Sequence, residues 1–402
     1  MDLKSGYPWW AIRNGLVRDY PRVVADVDCG VAVVGAGITG ALIADELVAH
    51  GHDVVVIDRR EVGWGSTAAS TALLQYEIDT HLLDLEQRVG RADAERAYLA
   101  CADAVRELCT LAEALPPCDF RRQSSLYVAS RPAHADGLRA ECARRAAIGL
   151  PVAWLDAAEV DAIHGVRAAG AIRSDLAAGV DPYRLAHHLL ARVAERGGRV
   201  FDRSEVETIE PGRRDVVCRV EGRFRLRCRH LVVAAGYASQ AWLPEPVAAN
   251  RSSYAFVTDR LDDATLGSLR DTMVWETARP YRYLRSTGDG RLVIGGEDDA
   301  VDIPSRRDRR VHRKARMLSL GIHRLIPRLQ PEPAFAWAGT FAETADGLPW
   351  FGAHPRTGAR VLFALAYGGN GITCSRIGAQ MLRMAIARRR HPLAALFSFA
   401  RG

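Results

Sequence analysis

Short apolar runs bounded by glycines alternate with longer stretches whose apolar residues recur every three or four positions. Val31-Ala32-Val33-Val34 reads as a buried parallel strand. Residues 41–50 then place Ala41, Leu42, Ala44, Leu47 and Val48 on one apolar face, so the spacing predicts a helix that ends at Gly51-His52. Val54-Val55-Val56-Ile57 is a second apolar strand, and His230-Leu231-Val232-Val233 is another far along the chain. Residues 124–130 alternate as a strand does, and the runs 281–286 and 291–295 flank Thr287-Gly288-Asp289-Gly290 as a hairpin. Asp181-Pro182 opens a helical run over 183–195 that Gly197-Gly198 stops, and strands follow at 199–201 and 204–210. Val311, Ala315, Leu318, Ile322 and Leu325 recur at spacings of four and three, one buried face of a helix. The basic run from Arg306 to Arg316 is then that helix's solvated face rather than a nucleic-acid patch. Residues 375–388 form a last helix, with Arg388, Arg389 and Arg390 where cations are favoured, at its end.

Composition changes this picture little. A chain of 402 residues, 48% hydrophobic, has room for one large or two interleaved domains. No apolar stretch approaches the roughly 20 residues of a membrane helix. Met1-Asp2-Leu3-Lys4 has no apolar segment followed by a small-residue cleavage site, so no signal peptide is expected. The eight cysteines (29, 101, 109, 118, 142, 218, 228 and 374) form no C-x-x-C pair and no metal-like cluster; scattered thiols suit a reducing cytoplasm, and no metal is expected. The net charge of +6, mostly arginine, carries little weight by itself.

The candidate chemistry starts where the first strand ends. Gly35-Ala36-Gly37-Ile38-Thr39-Gly40 joins strand to helix, and the second strand terminates in Asp58, roughly 20 residues past the glycines as a dinucleotide fingerprint requires. Gly35 permits the tight turn, Gly37 lets a pyrophosphate approach the backbone, and Gly40 lets the helix pack close to the sheet. The helix N-terminus offers free N–H groups to phosphate, and Asp58 accepts from ribose hydroxyls. Ile38, Thr39 and Arg59 are expected beside them. Three later features favour FAD over NAD. Gly65, Ser66, Thr67, Ser70 and Thr71 form a small hydroxyl-rich loop that can wrap a longer cofactor. The strand at 230–233 ends in small residues at Ala235 and Gly236. Gly368, Gly369, Asn370, Gly371, Ile372 and Thr373 make a second glycine-rich turn opening a helix.

In order and spacing these motifs resemble the FAD-dependent oxidoreductases of the D-amino-acid oxidase, glycine oxidase and sarcosine oxidase type. Trp9-Trp10 and Tyr20-Pro21 ahead of the fingerprint, with the Gly-Gly-Asn-Gly turn at 368–371, look most like the γ-glutamylputrescine oxidase branch. The block from Trp337-Ala338-Gly339 to Gly352 is similar to a family segment beside the flavin, which adds Gly339 and Asp346 to the expected cofactor contacts, and Val206 would meet the adenine. The resemblance implies an α/β (α+β overall) fold. In it a Rossmann-type FAD-binding domain (29–118, 153–245 and 337–402) is interleaved with a mostly antiparallel-sheet substrate domain (119–152 and 246–336), after an extension at 1–28. It also implies a chemistry: hydride transfer to flavin from the carbon beside a neutral amine nitrogen, giving an imine that hydrolyses. The partners expected are a small amine or amino acid and oxygen or another electron acceptor, with no nucleic acid.

The departures point to the substrate. Glycine oxidases hold the substrate carboxylate with arginines at the positions of Phe341 and Gly369 here. A bidentate arginine is the natural partner of a carboxylate, so their loss favours an amine or an N-substituted amino acid. Glu343 is then a candidate for attracting a cationic tail. On the strand at 281–286, strict alternation puts Tyr283 and Arg285 inward and Arg282 outward. Tyr283, Arg285, Phe341, Glu343 and Tyr367 are the candidate substrate contacts; Tyr254, Trp275 and Trp337 join Tyr283, Phe341 and Tyr367 as a candidate aromatic cage for a cation. Covalent flavin attachment is not expected, because the cysteine of sarcosine oxidases falls at Gly339 and the 65–71 loop has no histidine. The lysine those enzymes place near the flavin falls at Val293. Two alternatives stand: a small amino-acid oxidase or dehydrogenase using Arg282 or Arg285 for the carboxylate, and a flavin-binding subunit of a multi-component dehydrogenase.

Overall fold

The computed structural model describes residues 3–300, 302–365 and 367–401, so of the opening tetrapeptide only Leu3 and Lys4 are covered. The apolar runs become parallel strands of an eight-stranded sheet. In its centre Val361–Leu365, Phe224–Val233, Val27–Val34, Val54–Ile57 and Arg199–Phe201 lie side by side and parallel. Residues 31–34 and 54–57 are fully buried because helices cover the sheet. Ile38–Ala49, Pro182–Glu195, Arg91–Glu113 and Gly371–Ile386 pack their apolar faces into one core with it.

The second sheet has ten strands. Its order is Lys4–Gly6, Phe335–Glu343, Ala249–Val257, Leu292–Asp299, Arg282–Ser286, Thr272–Glu276, Arg121–Val128, Gly170–Gly179 and Leu73–Gln75, with Val152–Asp156 also paired to Gly170–Gly179. Every pairing in it is antiparallel except that of Thr272–Glu276 with Arg121–Val128. The chain thus crosses between the sheets repeatedly, and the mixed α/β architecture expected from the sequence is present. The strands Gly170–Gly179 and Phe335–Glu343 both belong to the larger sheet.

The helix Pro304–Leu325 lies on the larger sheet and buries Val311, Ala315, Leu318, Ile322 and Leu325, the predicted face. Full burial of an aliphatic side chain such as Leu318 or Ile322 contributes about 1.5–3 kcal/mol. Its charged residues are not all solvated, however. Arg307 is buried, bonding Asp302, Thr340 and Ser5, and Lys314 is buried against the Glu297 carbonyl, while Arg306, Asp308 and Arg309 are exposed. A long side chain can cross from the rim of a helical stripe to a buried acceptor, which periodicity does not register. Among the described residues no helix is long and apolar enough to cross a membrane.

Candidate active site

A cavity of about 520 Å3 runs between the two sheets, a size usual for a ligand site. One end is built by the first strand–turn–helix unit. Gly35 leaves the strand at φ +116°, and a Cβ on Gly40 would run into the Gly35 carbonyl oxygen, so the helix can close on the turn only with glycine at both positions. Gly37 is the N-cap of the helix and supplies no side chain, which leaves the helix N-terminus open to the cavity. The Ile38 amide donates to Thr67 Oγ1 at 2.9 Å, tying the hydroxyl-rich loop to the turn. Asp58 accepts from the amides of Ala36 (2.7 Å) and Arg60 (2.9 Å). Burial pushes its carboxyl above the usual range, and these amides oppose the shift. Arg59, Arg60 and Val206 line the cavity beside it.

The loop at 65–71 runs along one wall. Gly65, Ser66, Thr67, Ser70 and Thr71 all face the cavity, and Ser66 Oγ is buried without a hydrogen-bond partner among the described residues. Two indoles hold this loop from behind: Trp10 Nε1 donates to the Ser70 carbonyl at 2.7 Å and Trp337 Nε1 to the Ala69 carbonyl at 2.8 Å. That explains the aromatic pair ahead of the fingerprint: Trp10 is fully buried and acts at long range in the sequence.

The far end is formed by the second glycine-rich turn. Gly368, Gly369, Asn370, Gly371 and Ile372 line the cavity, and the helix Gly371–Ile386 starts there with no side-chain cap. Ala235, Gly236 and Gly339 contribute small surfaces, and Tyr237, Tyr281, Tyr283, Trp275, Tyr254, Trp337, Phe341 and Tyr367 contribute aromatic ones. Tyr367 donates to the Gly236 carbonyl at 3.3 Å. Burial pushes the Tyr283 phenol up to about 12, so it stays protonated across the physiological range.

Three expected cofactor positions do not line the cavity. Gly40 serves packing, Thr373 Oγ1 donates to the Gln75 carbonyl at 2.8 Å, and Asp346 is ion-paired to Arg401 at 2.7 Å while accepting from the Leu348 amide. Two candidate substrate contacts also lie outside it. Arg285 is fully buried, donating to the carbonyls of Thr71 (2.7 Å), Val180 (2.6 Å) and Ser286 (3.1 Å). Burial lowers its pKa to about 10. It shares the side of Tyr283 as alternation predicts, but its donors are consumed by backbone before they reach the cavity. Arg282 turns to the other side and pairs with Glu276 and Glu297. Glu343 is partly exposed and paired with Arg251 across the neighbouring strand at 2.5 Å. Neither Arg282 nor Arg285 is placed to meet a ligand carboxylate.

The pattern reading missed Gln75, Glu77 and Asp79, which line the cavity from the segment after Leu73–Gln75, and Tyr237 and Tyr281. The alternation of Gln75, Glu77 and Asp79 with Tyr76 and Ile78 was the available signal, too short to stand out beside the loop preceding it.

The residues present suit a flavin dinucleotide. Two uncapped helix N-termini open on one cavity, a glycine turn admits a close backbone approach, and a buried hydroxyl at Ser66 awaits a partner. Comparison with known proteins agrees. The profile of the family described as "FAD dependent oxidoreductase" matches residues 30–384. The chain is similar to the γ-glutamylputrescine oxidoreductase of Escherichia coli (strain K12), with 25% identity over 89% of this chain and 83% of that protein. It is also similar to the glycine oxidase of Geobacillus kaustophilus (strain HTA426), with 29% identity over 89% of this chain and 93% of that one. In three dimensions it resembles the crystal structure of glycine oxidase from Geobacillus kaustophilus, with a TM-score of 0.76 and 22% identity, covering 94% of this chain and 99% of that one.

Proposed function

The chain belongs to the FAD-dependent oxidoreductase family, and from that premise we propose that it oxidises the C–N bond of an amine or N-substituted amino acid to an imine, which water then hydrolyses. The observation that carries this reading is a cavity continuous from the dinucleotide turn at Gly35–Gly40 to an aromatic end that has no arginine where a carboxylate clamp is lost. Bound FAD supplies the acceptor for the hydride of the carbon beside the nitrogen. The protein's share is position. The N-terminus of Ile38–Ala49 and the Gly37 backbone hold the pyrophosphate, Asp58 and Arg59 the ribose end, and Val206 the adenine. The 65–71 loop and the turn at 368–372 flank the ring system. Arg285 acts behind the loop, fixing Thr71 through its carbonyl. Tyr283, Phe341 and Tyr367 shape the space for the reacting carbon and keep bulk water from it.

Attachment of FAD is non-covalent on this reading, since position 339 holds no cysteine and the 65–71 loop no histidine; acid precipitation should release all of the flavin to the supernatant. The division into a cofactor part (29–118, 153–245 and 337–402) and a substrate part (119–152 and 246–336) is kept as a functional one, with Gly170–Gly179 and Phe335–Glu343 joining the two. The compartment proposed is the cytoplasm, where eight free cysteines remain reduced. Electrons leave to oxygen or another acceptor. The test is the visible spectrum of the FAD-loaded protein under anaerobic conditions with a panel of amines and amino acids. Bleaching by an amine is expected. A flavin that no amine or N-substituted amino acid bleaches overturns the reaction class, and a chain that takes up no FAD overturns the whole reading.

A further inference from the structure

The cavity is electrically polarised along its length. Arg59 and Arg60 are the only arginines or lysines that line it among the described residues, and both sit at the end of Asp58. The opposite end presents carboxylates and aromatic rings. They come largely from one short segment that continues the strand Leu73–Gln75. In extended chain, residues i, i+2 and i+4 share a face. Tyr76 and Ile78 accordingly enter the core, 0% and 3% exposed, while Gln75, Glu77 and Asp79 line the cavity.

Each of the three is held in place. The Gln75 amide donates to Ser125 Oγ at 3.1 Å, and the Trp275 indole donates to the same oxygen at 3.0 Å. With two donors already received, the Ser125 proton is left for an acceptor, and Glu77 is the carboxylate that feels it. Glu77 is only 6% exposed, yet its Oε2 has no hydrogen-bond partner among the described residues. Its one cationic neighbour, Arg145, stands 3.9 Å from Oε1 and is itself bonded to Glu141 at 2.7 Å. One guanidinium therefore serves two carboxyl groups, Glu141 directly and Glu77 at longer range. Asp79 accepts from the Gly369 amide at 2.7 Å and makes no ion pair among the described residues. Desolvation raises the Glu77 carboxyl and that of Asp79, which is open to the cavity, and Asp298 is pushed up to about 7, chiefly by burial and with help from Glu343 and Asp79. Arg279, whose guanidinium lies 5.0 Å from the Tyr281 ring centre, attracts Asp79 without an ion pair, and among the described residues no arginine or lysine lines this end of the cavity.

We propose that Glu77 and Asp79, with Gln75 between the same two walls, form a subsite for the ammonium group of a cationic amine, so that the substrate is an amine whose charge is not balanced by a carboxylate beside the reacting carbon. This rests on the amine-oxidising reading above and narrows it. A buried carboxylate with one oxygen unpartnered, as at Glu77 Oε2, gains most from a charge-assisted hydrogen bond. Tyr237, Trp275, Tyr281 and Tyr283 on the same cavity add ring faces that attract a cation. A carboxylate in the same place would meet Glu77 and Asp79, with no arginine lining that end of the cavity among the described residues.

The test uses two ligands of one shape and opposite charge, tert-butylamine and pivalate, titrated into the full-length FAD-loaded protein and read as a flavin difference spectrum. tert-Butylamine has no hydrogen on the carbon bearing nitrogen, so it binds without being oxidised. The protein should bind the ammonium more tightly than pivalate. Asp79→Asn and Glu77→Gln should each weaken the ammonium at least tenfold and leave pivalate no weaker. Should Asp79→Asn lose FAD because of its contact with Gly369, Glu77→Gln and the charge preference of the unaltered protein still decide. Tighter binding of pivalate, no saturable response to the amine, or an unchanged Kd for the amine in the FAD-retaining variants would overturn the subsite. A protein bleached by an oxidisable amine that fails this test loses the subsite alone; one that no amine bleaches loses the proposed reaction.

Discussion

At the residue scale, glycines of one motif do different work, and substitution separates them. A Cβ on Gly37 would stand 3.0 Å from Thr67 Oγ1, at the mouth of the phosphate turn. Gly37→Ala should fold normally and bind FAD at least tenfold more weakly. Gly40→Ala should instead lower stability, because its Cβ has to displace the Gly35 backbone, and a shifted denaturation midpoint should accompany any loss of FAD. Equal effects of the two on stability would contradict this division. Arg285 carries a similar prediction. Its removal leaves three carbonyls short of a donor, those of Val180 and Ser286 in buried bonds, at about 1–3 kcal/mol for each buried one. Arg285→Met should therefore lower urea stability by several kcal/mol and loosen FAD, whereas a substrate-binding arginine would change the substrate constant and leave folding alone. The identity of Arg285 was visible in the sequence, and its alternation with Tyr283 was read correctly. Its role was not, because the carbonyls of Thr71 and Val180 come from distant segments.

At the scale of elements, the helix Pro182–Glu195 buries His187, 1% exposed and edge-on to the Tyr183 ring. Burial lowers its pKa to about 4, so it is neutral in the folded protein at neutral pH. The unfolded chain takes up that proton near pH 6.5, the folded chain only near 4. Stability is thus fully present above 6.5 and falls as the pH drops toward 4, by roughly 3 kcal/mol at most for this one group. His187→Leu should flatten that part of the profile. Urea midpoints at pH 7 and pH 4.5 for both proteins check it, and an unchanged difference between them would show that His187 is not the group. Elsewhere the helix Pro304–Leu325 followed its apolar period to the residue, while the buried Arg307 and Lys314 did not follow from it, since their acceptors belong to other elements.

At the scale of the molecule, the proposed cofactor site is assembled from both ends of the chain and both sheets. Bound FAD would bridge the turn at Gly35–Gly40 and the turn at 368–372, so its binding should stabilise both sheets together. A free concentration of one hundred times Kd raises the unfolding free energy by about 2.7 kcal/mol. One cooperative transition, moved upward by FAD and detected alike by tryptophan fluorescence and circular dichroism, is the expected result. Stabilisation of only part of the transition would mean that the ligand bridges nothing.

The sequence by itself determined the strand–turn–helix unit, its acid, the glycine-rich second turn and the cofactor class. Each of these is written in a local pattern of residue type and spacing, where backbone sterics and strand or helix periods leave little choice. Only the tertiary structure decided that Arg285 spends its charge on backbone carbonyls, that Glu343 turns to Arg251, and that Gln75, Glu77 and Asp79 line the cavity. Which partner a charged side chain meets depends on segments far away in the chain, and the desolvation that makes the partner matter exists only once those segments have packed.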